Sequence, residues 1–146
     1  MKRFAICCLA LIMLLLSLLS LASCGHEIEE AEAKTQTETF VLAISEKRYD
    51  DAASCMHPVR ETAGGDLRQY FEVTAQNYDV DFENSFSILR YTEVKCEKNE
   101  KLYDGAYCVL TAKAKAGEKT FALTVELVKN DSGFGIHNFH FDFATE

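Results

Sequence analysis

The chain has 146 residues, 48% of them hydrophobic and 26% charged, with one Pro, no Trp and a formal net charge of −8. That length suits one domain able to bury a sizeable core. The acidic balance leaves no basic footprint for phosphate, so no nucleic-acid partner is expected.

The N-terminus has three parts. Lys2 and Arg3 form a short positive start, Phe4 to Leu16 is an unbroken apolar run of 13 residues, and Ser17 to Ser23 turns small and weakly polar before Cys24. This is the pattern of a secretory signal. Its last four residues, Leu21-Ala22-Ser23-Cys24, resemble the bacterial lipobox. The resemblance implies a diacylglyceryl group on the Cys24 sulfur and cleavage just before it. Residues 1–23 are then an export signal, and the chain faces outward from a bacterial cell membrane. The alternative is a retained helix over Phe4–Ala22, close to the roughly 20 residues a span needs. The positive start would still leave the rest of the chain outside. Two acyl chains suffice as an anchor, since each buried CH₂ contributes about 0.8 kcal/mol.

Without residues 1–23, 13 basic residues face 23 acidic ones, a net charge of 13 − 23 = −10. Such a chain is repelled by an anionic bilayer and stands off it. Cys55, Cys96 and Cys108 remain besides Cys24. In an oxidising compartment three thiols allow at most one internal bridge.

Residues 24–38 read as an acidic tether, because Ile28 is the only long aliphatic in a Glu-rich stretch, unless the later part is drawn into the first helix. Folding is expected to begin near Thr39, with a helix carrying Phe40, Val41, Ala43 and Ile44. A second helix starts at Asp50 as N-cap and stops before Pro58. Gly64-Gly65 marks a loop. Asp66 then caps a third helix whose Leu67, Tyr70, Phe71, Thr74 and Tyr78 form a half-buried stripe. From Phe86 the apolar period changes to 2, and four strands are predicted at about 86–96, 106–116, 119–129 and 134–143.

Gly117-Glu118 reads as a two-residue hairpin with Gly first, and Asp131-Ser132-Gly133 as a three-residue loop. These turns set registers. Ala114–Phe121, Ala112–Leu123, Leu110–Val125 and Cys108–Leu127 share an apolar face. Lys115–Thr120, Lys113–Ala122, Thr111–Thr124 and Val109–Glu126 share a polar one. The second loop places Leu127 opposite His137, Val125 opposite Phe139, Leu123 opposite Phe141 and Phe121 opposite Phe143. Across the first pair of strands, Cys96 meets Cys108, Val94 meets Leu110 and Thr92 meets Ala112 on the core side. Cys96 and Cys108 are then either a cross-strand disulfide or two buried thiols. Cys55 is a core residue. His137 cannot join the two cysteines around a metal, because Leu127 intervenes and strands lie about 4.8 Å apart. His137 and His140 point to opposite faces. Neither a metal nor a cofactor is expected.

Phe40 to Ile44, the run Lys47-Arg48-Tyr49-Asp50-Asp51-Ala52-Ala53, a further helix and long strands ending in an aromatic edge resemble the nuclear transport factor 2-like superfamily. The resemblance covers about residues 38–143. It implies an α+β cone, with N-terminal helices packed on a curved antiparallel four-stranded meander, also described as cystatin-like. Members include binding modules, dimerisation domains and a few isomerases and cyclases. Such cones often keep a pocket at the wide end, which here would be lined by Tyr70, Tyr78, Arg90 and Thr92. Arg90 would either reach an anionic ligand there or run to the rim on its aliphatic stem. No Ser-His-Asp set, phosphate loop or carboxylate pair is visible.

The expected function is therefore a lipid-anchored, non-catalytic binding or interaction module. The runner-up is a small-ligand pocket protein, with isomerase-like or hydrolytic chemistry in the cone. Tyr107, Val128 and Ile136 fall in one row on the face that should be wet, with Phe134 nearby. They mark an expected self-association patch and a homodimer, unless the tether or the Asn99–Tyr103 loop folds over them.

Overall fold

The computed structural model describes residues 26–143; the expected signal and the expected lipidation position Cys24 lie outside them. Three helices come first: α1 (Glu30–Ser45), α2 (Tyr49–Ser54) and α3 (Gly64–Tyr78), with a 3₁₀ turn at Pro58–Arg60. Four strands follow: β1 (Ser87–Glu100), β2 (Gly105–Ala116), β3 (Lys119–Asn130) and β4 (Gly133–Asp142). They form one open antiparallel sheet in the order β1-β2-β3-β4. The class is α+β, with the helices covering one face of the sheet.

Helix α1 begins nine residues before the expected start at Thr39. Ala33 and Thr37 are buried, each two turns ahead of Phe40 and Ile44 respectively. A stripe that opens on small residues lets the helix approach the sheet closely. Ile28 is also buried, so much of the expected tether belongs to the fold. Polar ties hold this half in place: Lys129 Nζ reaches Glu32 Oε1 at 2.8 Å, and Gln36 Nε2 donates to the Cys55 carbonyl at 2.9 Å. Asp66 is not the N-cap of α3. That position is Ala63, whose N–H donates to the Asp66 carboxylate at 3.4 Å.

The β2–β3 register matches the expectation at every pair from Ala106↔Lys129 to Ala116↔Lys119. Gly117 has φ +59°, whereas Glu118 is not among the positive-φ residues, as a hairpin with Gly first requires. Cys96 pairs with Cys108 and the two are joined by a disulfide, with Cα atoms 4.0 Å apart.

Three irregularities separate the other registers from expectation. β1 slips between Ile88 and Arg90 and again between Tyr91 and Glu93, so Tyr91, not Thr92, meets Ala112. β4 slips once, at His137: Leu127 pairs with Ile136, while Val125↔Phe139 and Leu123↔Phe141 hold as expected. The turn before β4 is the two-residue Asp131-Ser132, closed by Asn130↔Gly133. Each extra residue flips the faces of everything on one side of it.

The first half of β4 does not end the sheet. The Met56–His57 stretch lies along it, with His57 N–H donating to Ile136 O at 2.8 Å and Ile136 N–H to Cys55 O at 2.9 Å. Gly135 permits this approach, since a Cβ there would sit 2.6 Å from His57 N. The buried His57 ring completes the cap. Its Nδ1 accepts from Val59 N–H at 3.3 Å, leaving Nε2–H to face Asn130 Oδ1 and Gly133 O, each at 3.2 Å.

Candidate functional site

Aromatic rings fill the interior between the helices and the sheet. Phe71 of α3 lies 5.0 Å from Phe82 and 5.8 Å from Phe141, centroid to centroid. Phe121 lies 5.4 Å from Phe141 and 6.1 Å from Phe86. Edge-to-face and tilted pairs of this kind add to the burial of the rings themselves. Among the described residues every buried polar side-chain atom has a hydrogen-bond partner, so none points unmatched into the core.

The expected pocket of Tyr70, Tyr78, Arg90 and Thr92 is not assembled. Tyr70 and Tyr78 are on the helical side, where Tyr70 packs on Phe139 at 5.3 Å and Tyr78 stacks on Phe143 at 4.3 Å. Arg90 pairs with Lys113 on the opposite face, and exposed Thr92 donates to the Thr111 carbonyl at 3.1 Å. The slip between Tyr91 and Glu93 is the cause, because it turns Arg90 outward, leaves Thr92 as the extra, unpaired residue and brings Tyr91 in. The Tyr91 hydroxyl hydrogen-bonds Glu38 Oε1 at 3.1 Å, and burial followed by that carboxylate pushes the phenol well above its ordinary range. The greater apolar weight of Tyr91 was the sequence signal for this arrangement.

The open space is on the outer face instead. Arg90, Lys113, Ala122 and Asp142 occupy one transverse row of the four strands. With Thr92 and Thr120 they line a depression of about 350 Å³. Two cations at one end and a carboxylate at the other suit a zwitterionic or anionic group. A second hollow, about 260 Å³, lies where Lys47 and Arg68 face Asp50 and Gly64 at the start of α3.

The expected self-association patch is dispersed. Ile136 is on the helical side, fully buried, because the slip at His137 reverses its direction. Phe134 lies on that side too, beneath Lys129 Nζ at 5.5 Å. Tyr107 and Val128 do face outward, but Val128 is 1% exposed. The loop alternative accounts for this cover. Tyr103 stacks on Tyr107 at 4.9 Å and meets the His137 ring at 4.8 Å, and its carbonyl accepts from Asn130 Nδ2 at 2.9 Å. Burial, then the nearby Glu126 carboxylate, pushes the Tyr107 phenol up to about 12. Burial, then Arg60 and His57 beside it, pushes the His137 imidazole down, against a weaker upward pull from Glu126.

Buried Cys55 is free, and burial followed by the Asp51 charge raises its thiol, which suits an inert core residue. Among the described residues no group of three His, Cys, Asp or Glu side chains could hold a metal, and no helix is long and apolar enough to cross a membrane. No family model, curated protein or solved structure matches the chain.

Proposed function

We propose that this chain is a lipid-anchored protein on the outer side of a bacterial membrane that works as a non-catalytic interaction module, built on the nuclear transport factor 2-like cone plan. The observation that carries this reading is the filled interior. The volume that an enzyme of this plan would use for substrate is occupied by Phe71, Phe82, Phe86, Phe121 and Phe141. Recognition then falls to the outside of the domain.

The anchor rests on Leu21-Ala22-Ser23-Cys24. Cys24→Ala should abolish incorporation of labelled fatty acid and leave an unprocessed precursor. Normal processing and labelling of that variant would refute the anchor. For the module, a photo-crosslinking side chain in place of Lys113 should give discrete protein adducts in intact cells.

A second reading follows from the 350 Å³ depression beside Arg90 and Lys113, which could take a small anionic ligand. Small acids that raise the melting temperature of the parent but not of Arg90→Ala, with no protein adducts from position 113, would favour it over the interaction module.

A further inference from the structure

The lower half of β4 is an open sheet edge. Among the described residues, the backbone hydrogen bonds on its outer side are those at Ile136, made with Cys55 and His57. Beyond the slip at His137, pairing to β3 runs unbroken through Asn138, Phe139, His140, Phe141 and Asp142.

The direction of each backbone group follows from the β2–β3 hairpin. Ala116 and Lys119 close its two-residue turn, so Lys119 turns its N–H and C=O toward β2. Alternation then turns Ala122, Thr124 and Glu126 toward β4. Their partners Asp142, His140 and Asn138 turn inward to meet them. Phe139, Phe141 and Phe143 are left with their backbone groups on the open side. Their rings lie on the helical face, half-buried. Alongside them α3 exposes Tyr70, Val73 and Tyr78, at 41%, 48% and 50%.

We propose that a second copy of this chain pairs with this edge, β4 against β4, antiparallel about a two-fold axis through Phe141. The sequence is self-complementary in that register. Phe141 meets itself and Phe139 meets Phe143, each with backbone groups turned toward the other strand. On the outer face His140 meets Asp142 of the second copy, twice, which places an imidazole N–H donor beside a carboxylate acceptor. On the inner face the paired Phe rings meet the exposed side of α3. A two-fold contact uses the same patch on both copies, as this edge does. Edges that stay unpaired are usually blunted by Lys, Pro or bulges. Residues 138–143 have none of these. The proposal does not depend on the lipid anchor.

The register makes the test specific. His140 and Asp142 are exposed, so cysteines there leave the core intact. In full-length protein in its own membrane, with Cys55 replaced by Ser, His140→Cys/Asp142→Cys should form a covalent dimer on mild oxidation. Position 140 would face position 142 of the other copy directly. Either single variant would have to bridge a diagonal of about 7–8 Å, beyond disulfide reach, so the double variant should give about tenfold more dimer. The exchanged pair His140→Asp/Asp142→His should preserve native association, read by chemical crosslinking, and Asp142→Lys should reduce it. A double-cysteine variant that stays monomeric, or singles that crosslink as well as the double, would overturn the proposal. So would an adduct to a different protein, which would make the edge a site for a foreign strand.

Discussion

The two edges of the sheet solve the same problem differently. β1 slips three times, the last between Glu97 and Glu100, and carries exposed Lys95 and Lys98. Tyr91 ties it to α1, and the disulfide ties it to β2. An approaching strand would find a bent, charged ladder with no continuous register. β4 is divided at His137. Its first half is covered by the chain's own Met56–His57 stretch, and its second half is aromatic, regularly paired to β3 and, among the described residues, uncovered. Strand edges are hazardous because they attract strands. An edge left open beside three Phe residues, in a molecule that guards the rest of its rim, has the character of a contact surface.

The largest expected effect comes from releasing β1. The Cys96–Cys108 bridge spans 12 residues in sequence, and its loss should cost about 3 kcal/mol in the chain-entropy model. Cys96→Ser/Cys108→Ser should lower the denaturation midpoint accordingly, and reducing agent should lower that of the parent but not of the variant. An unchanged midpoint would mean that pairing and Tyr91 hold this edge without the bridge.

Uncovering the first half of β4 should come next. A Cβ at Gly135 would press on His57 N and the Met56 carbonyl, at 2.6 and 2.7 Å. Gly135→Ala should therefore push the cap away at a cost of about 2 kcal/mol, typical of overpacking. Amide exchange at His57 and Ile136 should rise before global unfolding. If their protection stays at the global level, the cap is part of the core and the two halves of β4 differ little.

Legibility from sequence followed the same divide. The β2–β3 ladder could be read pair by pair because alternation ran unbroken between two well-marked positions, Gly117 and the Asn130–Gly133 turn. The disulfide followed, since Cys96 lies beyond the second slip of β1, where the expected register still holds. What alternation cannot show is a single inserted residue. Ile88-Leu89-Arg90-Tyr91-Thr92 contains two bulges without a Gly or Pro to mark them, and unbroken alternation across the one at Thr92 puts Arg90 and Thr92 inside. One insertion at His137 likewise split an outer-face patch that existed only in the unslipped register. The early start of α1 was hidden for a different reason: Ala33 and Thr37 are buried through close approach, which apolar periodicity scarcely registers.

The smallest expected effect is a pH dependence at the residue that divides β4. Burial, Arg60 and His57 hold the folded-state pKa of His137 below its ordinary 6.5. The unfolded chain therefore binds more protons at this position than the native one, and native stability falls as pH drops through about 6.5 toward the folded value. Above that window the ring is neutral in both states and contributes no pH dependence. His137→Asn should flatten this part of the stability profile while leaving stability at pH 8 nearly unchanged, because the ring is only part-buried. Urea midpoints measured at pH 8.0, 6.5 and 5.5 for parent and variant would show it as a difference in slope. Parallel slopes would mean that Glu126, which pulls the ring the other way, balances burial, Arg60 and His57. A steeper parent slope, accompanied by faster amide exchange at Tyr103 and Val128 in acid, would identify the charged ring as what loosens the Tyr103 loop. The loosening should stop at His137: amide protection factors at His140 and Asp142, which pair with β3, should not change across the same pH range if the two halves of β4 are independent.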